Sequence, residues 1–520
     1  MNIGFDPLYP LRAARRYAWP EDRARGWAFA ALLALGLLLR LLFVGEPIRW
    51  DEAANAVYYT SNDLLYAIGG SGGNPNHVLH SLLSWFSVRV MGWSIVSFRA
   101  PVLVAGILAV WAVYAAARWT FGREREAVLA AALAAVSPLW VHYSVNGRGY
   151  IYQAALVPLI FVLVARGLRG GLPVRQARSC ALWAAALTVL GAAAVRSMLV
   201  FFVPLAVLSV AGWALRRRRG SGEAGPGAFV TTWLGAVGAL AALAFLPVWL
   251  TRGTSGVVGI ASRFGAPWSV IAPRTGAYWI ELVREELFRG PGTSAVVASV
   301  ALIALGLVAA VREHRELAFF AVLLVACSFP VAAFAHIWLP IRVLAPAGFV
   351  FFLLWARGAG VLADRVARSG PRRAALVTAL AGAAAVGLPL STLGGSPGFV
   401  PMDHHHVREG ATRLFGLGDL SRSALVVPAT WDDAPVAFYA LAAGMEIPYL
   451  VGMDRVERER NPCDLDELVV VSDAGPAAVA LDSPFYRRAV GEPLRRVPLD
   501  GLGVEVGRWR LAPCTAGSSR

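Results

Sequence analysis

The stretch GWAFAALLALGLLLRLLFVGEPIRWDEA, residues 26–53, decides how this chain folds. Its apolar run, Gly26–Val44, is long enough to cross a bilayer, and the acidic pair Asp51-Glu52 follows closely. Because basic residues mark the cytoplasmic side of a span, we expect a cytoplasmic N-terminus and an acidic pair at the outer membrane surface. The basic residues that precede the run are Arg12, Arg15, Arg16, Arg23 and Arg25.

The composition of the chain is that of an integral membrane protein. Of its 520 residues, 57% are hydrophobic and only 16% are charged, whereas soluble proteins have about 25% charged residues. The basic residues are all arginine, and the formal net charge is +15. In a membrane protein this charge indicates arginines that anchor cytoplasmic loops, so we expect no nucleic-acid partner.

Apolar runs of bilayer length recur along the first three-quarters of the chain and predict an α-helical polytopic membrane protein. Every loop that this order places in the cytoplasm is basic, and an odd number of spans leaves the C-terminus outside. We predict about eleven spans: Gly26–Val44, Ala100–Ala117, Ala127–Val145, Ile151–Ala165, Cys180–Val195, Met198–Leu215, Phe229–Leu250, Ala295–Val311, Leu317–Ile337, Ile341–Trp355 and Ala374–Leu393.

A more polar region follows the last span, so we divide the chain into a transmembrane domain, residues 1–393, and an extracytoplasmic domain, residues 394–520. The second domain alternates strand-like and helix-like runs, which predicts a small soluble α/β fold. Cys463 and Cys514 both lie in it, where oxidising conditions permit a disulfide that the sequence alone leaves open. The strand-like runs are Ala424–Val427, Leu468–Val471 and Val504–Trp509, and the helix-like runs are Val436–Ala443 and Ser483–Val490.

Four groups of polar residues are predicted at the outer face. They are the pair Asp51-Glu52, the segment Asn74–His80, the element Tyr143–Tyr150, and a set of arginines where the charge rule does not require them. If sugars are transferred at such a face, cytoplasmic nucleotide sugars are out of reach and the sugar has to arrive on a polyprenyl phosphate. A carboxylate can serve as the base for an acceptor hydroxyl, and arginines suit the departing phosphate. The outer arginines are Arg196, Arg263, Arg274, Arg284, Arg289 and Arg342.

In order and spacing, these motifs resemble the GT-C superfamily of membrane glycosyltransferases. The resemblance is to the branch of protein O-mannosyltransferases, lipid A aminoarabinose transferases and rhizobial galacturonic-acid transferases, and it covers roughly Gly26–Leu250. Asn146-Gly147 and the absence of a His-Pro-Pro motif depart from that branch and leave the substrate open. The resemblance implies an inverting single displacement with Asp51 as base, and Glu52 orienting the site or an acceptor.

The same resemblance implies that Arg148 meets the donor phosphate, and the outer arginines Arg274 and Arg342 are further candidates for that role. Candidate substrate-binding residues are Asn76, His77, His80, Tyr143 and Tyr150. The expected partners are the membrane, a polyprenyl-phosphate sugar donor and a lipid, glycan or protein acceptor. No metal ligand is assigned, although a divalent metal is possible as a cofactor.

Each feature also has a simpler interpretation. Asp51 and Glu52 can be solvated loop charges or partners of Arg49, and outer arginines can be interfacial anchors. His77 and His80 lie three residues apart and can bind a metal, although such a pair is more often packed or hydrogen-bonded. Arg40, inside the first span, can reach the interface or line a site. A lipid or glycolipid transporter, a noncatalytic envelope scaffold and a lipid-linked glycan polymerase or ligase are the alternative functions.

Overall fold

The computed structural model describes residues 6, 8–15, 17–70, 76–219, 223–258, 266–287, 293–393, 405–428, 433–451, 453, 461–472, 489–499 and 504–513. The chain forms two compact units. The helical unit comprises Met1–Phe43, His77–His80 and Val102–Val400. The α/β unit comprises Val44–Asn76, Ser81–Pro101 and Pro401–Arg520.

Helices dominate the fold. In chain order they are α1 (Tyr9–Arg15), α2 (Arg23–Phe43), α3 (Trp50–Asn55), α4 (Leu64–Gly69), α5 (Val78–Met91), α6 (Ile95–Phe121), α7 (Glu124–Val136), α8 (Pro138–Ser144), α9 (Tyr150–Leu168), α10 (Val174–Ala194), α11 (Leu199–Arg218), α12 (Ala224–Val258), α13 (Trp268–Leu287), α14 (Thr293–Glu313), α15 (Arg315–Phe334), α16 (Ile341–Leu344), α17 (Gly348–Ala367), α18 (Pro371–Leu393), α19 (His405–Phe415) and α20 (Asp433–Ala442). The strands are β1 (Ser423–Val426), β2 (Tyr449–Leu450), β3 (Glu467–Ser472), β4 (Ala489–Leu499) and β5 (Val504–Leu511).

The predicted membrane spans are confirmed as helices. Within the described ranges, 10 helices are long and apolar enough to cross a membrane, or up to 11 if α7 and α8 count as one span. Each of the predicted runs falls on one of these segments. The fold is therefore polytopic and α-helical, as the hydropathy of the sequence predicts.

One predicted span, Ala127–Val145, is not a straight helix. It is broken between α7 and α8, whose axes are bent by 59°. Ser137 caps α8, because its Oγ accepts the Trp140 backbone N–H at 3.2 Å. Pro138 has no N–H to continue the hydrogen bonding of α7, and proline is well suited to the first turn of a new helix. The residues that predict the break are thus the Ser137-Pro138 pair.

Ion pairs connect the helices at the end of the helical unit where α2 begins. Arg25 lies 3.2 Å from Glu124, and the buried Arg357 contacts Glu126 at 3.0 Å and Glu313 at 2.6 Å. Arg125 contacts Asp364 at 2.9 Å. We call this cluster the ion-paired end. Its arginines join helices α2, α7, α14 and α17, so they hold the bundle together at this end.

The α/β unit is built around a five-stranded sheet with the order β2-β1-β3-β5-β4. Strand β1 pairs in parallel with β2 and β3, and β5 pairs antiparallel with β3 and β4. The three predicted strands are confirmed as β1, β3 and β5. The helix predicted over Ser483–Val490 is wrong where it is described, because Ala489 and Val490 begin β4 and pair with Leu511 and Arg510. Residues 483–488 lie outside the described residues.

The core of the α/β unit combines distant parts of the chain. Ile48 and Val57 are buried with Phe98, Phe438 and the strand residue Val470. The segment that carries the acidic pair therefore folds in the same unit as the C-terminal sheet. The domain boundary predicted from the sequence, at residues 393/394, is based on polarity along the chain and does not include this association.

Of the cysteines, Cys463 is disulfide-bonded, whereas Cys180 and Cys327 are free. Cys514, the partner considered for Cys463 from the sequence, lies outside the described residues.

Candidate functional site

The α/β unit holds the predicted carboxylates at the start of the short helix α3. Glu52 is fully buried and forms a two-point ion pair with Arg99, from Nε to Oε1 at 2.9 Å and from Nη2 to Oε2 at 2.6 Å. The Arg49 backbone N–H also donates to Glu52 Oε2 at 3.2 Å. Such charge-assisted, two-point bonds are among the strongest that a protein makes. Glu52 is therefore a fixed structural anion rather than a solvated loop charge.

Arg99 was not predicted as a site residue, yet it organises the segment before the acidic pair. Its Nη1 donates to the carbonyls of Val44 at 3.0 Å and Glu46 at 2.7 Å, and its Nη2 donates to that of Pro47 at 3.2 Å. The arginine thus ties the start of α6 to the backbone that leads into α3. A charge inside an otherwise apolar helix is the sequence signal that could have identified it.

Asp51 occupies a different environment from its neighbour. It is half-buried on α3, whereas Glu52 is fully buried and uses both carboxylate oxygens on Arg99. Because a catalytic base must reach its substrate, only Asp51 of the pair suits that role. The structure therefore divides the pair into an accessible carboxylate and an anchored one.

The helical unit brings together four other predicted residues: His77, Tyr143, Arg148 and Tyr150, which we call the arginine–tyrosine cluster. Arg148 Nε donates to His77 Nε2 at 3.3 Å, and its guanidinium carbon lies 5.2 Å from the centroid of the Tyr150 ring. Tyr150 packs against both Tyr143 and His77, with ring centroids 5.5 Å apart in each pair. All four side chains are buried or nearly so. The cluster therefore holds a cation among aromatic rings.

The hydrogen bonds of His77 define its protonation state. Its Nδ1 lies 3.0 Å from the carbonyl oxygen of Ala194, which can only accept. Nδ1 therefore carries the proton, and Nε2 accepts from Arg148. Burial, followed by the charge of Arg148, holds the pKa of His77 well below its usual value, and the charge of Arg342 acts in the same direction. His77 is thus a neutral imidazole that orients Arg148.

The backbone around Arg148 is shaped by a tight turn and a glycine. Helix α8 ends at Ser144, and the Arg148 N–H donates to the Asn146 carbonyl at 2.6 Å. Gly149 precedes α9, and a Cβ there would overlap the Ala194 carbonyl and Val195. The glycine therefore lets the turn approach the end of α10, whose last carbonyl groups lack partners within the helix. His77 satisfies one of them, that of Ala194.

Two further predicted residues are fixed by hydrogen bonds within their own units. His80 is fully buried, with Nδ1 at 3.3 Å from the Tyr152 hydroxyl. Asn76 donates to the Ala67 carbonyl at 2.9 Å and accepts from Ser81 Oγ at 2.7 Å. These contacts give both residues a structural task, and their predicted contact with substrate stays a prediction. Tyr152 was missed because it sits on an apolar helix with no motif of its own.

The predicted phosphate-binding arginines Arg274 and Arg342 are exposed. The guanidinium of Arg274 lies 4.4 Å from the centroid of the Trp338 ring. Arg342 lies on α16, which leads into α17, and its charge lowers the pKa of His77. Arg342 therefore adds positive potential to the arginine–tyrosine cluster. Arg263 and Arg289 lie outside the described residues.

A metal that used His77 would have to displace Arg148, because both imidazole nitrogens are already engaged. Within the part of the chain that the structure describes, no group of three or more His, Cys, Asp or Glu side chains is arranged to hold a metal. The possible divalent cofactor stays a prediction from the sequence.

The fold has counterparts among solved structures. ArnT from Cupriavidus metallidurans aligns over 95% of this chain and 100% of its own, with 14% identity and a TM-score of 0.60 in its apo state and 0.63 when bound to undecaprenyl phosphate. The arabinofuranosyltransferase AftD from Mycobacteria aligns over 94% of this chain and 40% of its own, with 15% identity and a TM-score of 0.51. The chain therefore has the fold of the GT-C membrane glycosyltransferases, which confirms the resemblance inferred from the sequence at the level of the fold.

The match to a family model is more local. Residues 75–250 match the model described as dolichyl-phosphate-mannose-protein mannosyltransferase. This range contains the whole arginine–tyrosine cluster and excludes Asp51 and Glu52. No curated protein matches the sequence.

Proposed function

We propose that the protein transfers a sugar from a polyprenyl-phosphate donor to an acceptor hydroxyl at the outer face of the cytoplasmic membrane, with inversion at the anomeric carbon. The acceptor is a lipid, a glycan or a protein. The GT-C fold supports this proposal, as does the match of residues 75–250 to a dolichyl-phosphate-mannose-dependent family. The structure of ArnT with undecaprenyl phosphate provides a precedent for a lipid-phosphate ligand on this fold.

In the proposed reaction Asp51 is the general base. Its carboxylate takes the proton of the acceptor hydroxyl while the acceptor oxygen forms a bond to the anomeric carbon. The bond between that carbon and the phosphate oxygen breaks, and its electron pair leaves with the polyprenyl phosphate. Glu52 does not exchange protons in this scheme; paired with Arg99, it positions α3 and hence Asp51.

The observation that carries the proposal is the way Arg148 is held. Its Nε is fixed by a neutral imidazole, and its guanidinium lies beside a tyrosine ring. A neutral partner orients a cation without cancelling its charge. The charge of Arg342 adds to the positive potential at His77. Preorganised cations of this kind stabilise the charge that develops on a departing phosphate, and arginine matches phosphate oxygens geometrically.

The proposed orientation follows from the basic loops. We place the N-terminus and the run Arg216–Arg219 in the cytoplasm of a multi-pass inner-membrane protein, and the C-terminal sheet outside. An impermeant thiol reagent would test this in intact cells, with single cysteines introduced at Arg217 and at Arg422. Labelling at position 422 and protection at 217 is the expected result, and the reverse pattern contradicts the orientation.

The activity itself is tested by incubating the detergent-purified protein with several polyprenyl-phosphate sugars and measuring the release of polyprenyl phosphate. We expect Asp51→Asn to abolish release without loss of the folded protein. Asp466→Asn is the control, because that exposed carboxylate pairs with Arg422 on the surface. Full activity in Asp51→Asn would remove Asp51 as the base.

The transporter and scaffold alternatives give a different result in the same assay. Neither breaks the bond between the sugar and the phosphate, so neither releases polyprenyl phosphate. Transport of an intact lipid-linked sugar across reconstituted vesicles, with no release from any donor, would favour the transporter.

A further inference from the structure

Arg40 is a charged residue in the middle of the packed helical unit. It lies one turn before the end of α2 and is 0% exposed, so its side chain is enclosed by the protein. Its Nε donates to Ser144 Oγ at 3.0 Å, and its Nη1 donates to the carbonyls of Gly36 at 2.8 Å and Ala135 at 3.0 Å. Among the described residues, Nη2 has no hydrogen-bond acceptor. Burying a charge among neutral oxygens is costly, so its retention indicates a specific task.

The partners of Arg40 lie on both sides of the bend between α7 and α8. Ala135 belongs to the last turn of α7, whose carbonyls lose their intrahelical partners when the helix ends at Val136. Ser144 is the last residue of α8, and its Oγ also donates to the Trp140 carbonyl at 2.5 Å. One guanidinium therefore bridges the two segments of the broken span and fills a hydrogen-bonding vacancy that the break creates.

The neighbouring helix is shaped to fit this bridge. Gly106 of α6 faces the pair: a Cβ there would overlap Ser144 Oγ and would lie 2.7 Å from Arg40 Nε. Any larger residue would have to push the serine and the arginine apart. The Arg40–Ser144 contact therefore has space reserved for it on α6.

The chain that leaves Ser144 is the one that carries Arg148. Only three residues lie between Ser144 and Arg148, and the tight turn between them is fixed by the bond from the Arg148 N–H to the Asn146 carbonyl. A shift of α8 relative to α7 is transmitted directly to the guanidinium of Arg148, since little flexible backbone lies between them.

We propose that Arg40 is a positioning residue, which locks the bend between α7 and α8 so that Arg148 is presented to the phosphate of the donor. The inference rests on the proposed function, because it assigns Arg40 a role through the phosphate-binding arginine. Arg40 itself does not touch the substrate in this scheme. The guanidinium is needed for its shape, since one flat group with several donors spans oxygens that a single ammonium cannot reach together.

The test compares two buried arginines that receive the same substitution. Arg40→Lys keeps the charge but loses the bridge, and Arg357→Lys makes the same change at the ion-paired end. We expect Arg40→Lys to raise the KM for the donor by roughly tenfold to hundredfold, with a smaller change in kcat, because a displacement of about 1 Å in a positioned group costs that much. Arg357→Lys should leave the donor KM within about twofold.

A second measurement does not depend on transfer. Amide hydrogen exchange over residues 145–149 should speed up in Arg40→Lys and stay at the wild-type rate in Arg357→Lys. If the wild-type protein releases no polyprenyl phosphate, the proposed function fails, while the exchange comparison still decides whether Arg40 fixes the turn.

Ser144→Ala serves if Arg40→Lys does not fold, because it removes the acceptor of Arg40 Nε, together with the bond from Ser144 to Trp140 inside α8, and leaves the charge in place. The donor KM and the rate of amide hydrogen exchange should again rise, by less than in Arg40→Lys. Wild-type exchange and donor KM in either folded variant would overturn the inference. So would an equal rise in both lysine variants, because that would indicate a general loss of stability.

Discussion

The two ends of the helical unit use arginine in opposite ways. At the end where α2 begins, Arg357 meets the carboxylates of Glu126 and Glu313, and Arg125 meets Asp364. At the end where α2 finishes, Arg40 contacts a serine hydroxyl and two carbonyls, and Arg148 contacts a neutral imidazole and a tyrosine ring. The first set of contacts pairs opposite charges, whereas the contacts named at the second end orient arginines through neutral groups.

This difference separates stability from function. A buried arginine paired with a carboxylate has little positive potential left for a ligand, but losing either partner leaves an uncompensated charge. A neutral imidazole orients an arginine without placing a negative charge beside it, which suits the binding of an anion such as a phosphate. Substitutions at the ion-paired end should therefore affect unfolding, and those in the arginine–tyrosine cluster should affect donor use.

The largest expected effect on stability is that of Glu126→Gln. Glu126 is fully buried and accepts from Arg357 at 3.0 Å, so its loss leaves the buried guanidinium with only the half-exposed Glu313. We expect the free energy of unfolding in detergent to fall by up to about 3–5 kcal/mol, with no change in the donor KM of the protein that remains folded. Asp364→Asn, on a partly exposed pair, should cost about 1 kcal/mol or less. Equal losses in the two variants would contradict the comparison.

Arg148→Ala should affect donor use more than stability. Losing a hydrogen bond from a charged group costs about 1.5–3 kcal/mol, so we expect kcat/KM for the donor to fall by roughly tenfold to hundredfold. The free energy of unfolding should change less than in Glu126→Gln. Arg148→Lys keeps the charge without the Nε–H that His77 accepts, and it should recover part of the activity. Donor kinetics equal to wild type in Arg148→Ala would remove this residue as a phosphate ligand.

The histidines give a smaller effect that depends on pH. Burial holds the pKa of His77 well below 6.5 and lowers that of His314 to about 4. Each histidine is therefore neutral in the folded protein at pH values where the unfolded chain binds a proton. Stability should be unaffected above pH 6.5 and should decrease as the pH falls below it, by up to about 1.4 kcal/mol per pH unit for each histidine.

His77→Gln and His314→Gln separate this titration from function. Both variants should lose less stability than wild type between pH 6.5 and pH 5, as measured by thermal unfolding in detergent. Only His77→Gln should raise the donor KM at pH 7.5, because only His77 holds Arg148. A raised donor KM in His314→Gln as well would show that the two ends are not functionally distinct.

The smallest effect is expected for Arg274→Ala. This exposed guanidinium rests on the ring of Trp338, an interaction that contributes about 0.5–1 kcal/mol at exposed sites. We expect a decrease in kcat/KM of about twofold to fivefold, in line with that energy. A decrease as large as that of Arg148→Ala would place Arg274 at the phosphate with Arg148.

The sequence predicted the elements of the fold better than their interruptions. Hydropathy identified every candidate span in the part of the chain that the structure describes, because bilayer thickness fixes the length of an apolar helix. The bend at Ser137 was missed, since the residues on both sides of it are apolar and hydropathy does not respond to a change in helix direction. Strand β4 was also missed: it pairs with β5, and a pairing partner decides a strand more than its own propensity does.

The sequence predicted several residues of the candidate site, but it did not predict which of them contact one another. The Tyr143–Tyr150 element and His77 were identified, and the structure brings His77, Tyr143, Arg148 and Tyr150 together. Their division of labour was not predicted, because the neutral state of His77 depends on the Ala194 carbonyl, 117 residues away. The pairing of Arg99 with Glu52 was missed for the same reason, because the local sequence around Arg99 does not specify its distant partner.

By itself the amino-acid sequence determined that this chain is a multi-span helical protein with an acidic pair after its first span and basic loops between others. Those properties follow from local hydropathy and charge, which act over the length of one helix. Only the tertiary structure decided that Glu52 is anchored while Asp51 is accessible, and that Arg40 joins two segments of a broken span 95 and 104 residues away. Hydrogen bonds and ion pairs act over about 3 Å in space, and a linear sequence does not specify which distant groups meet at that distance.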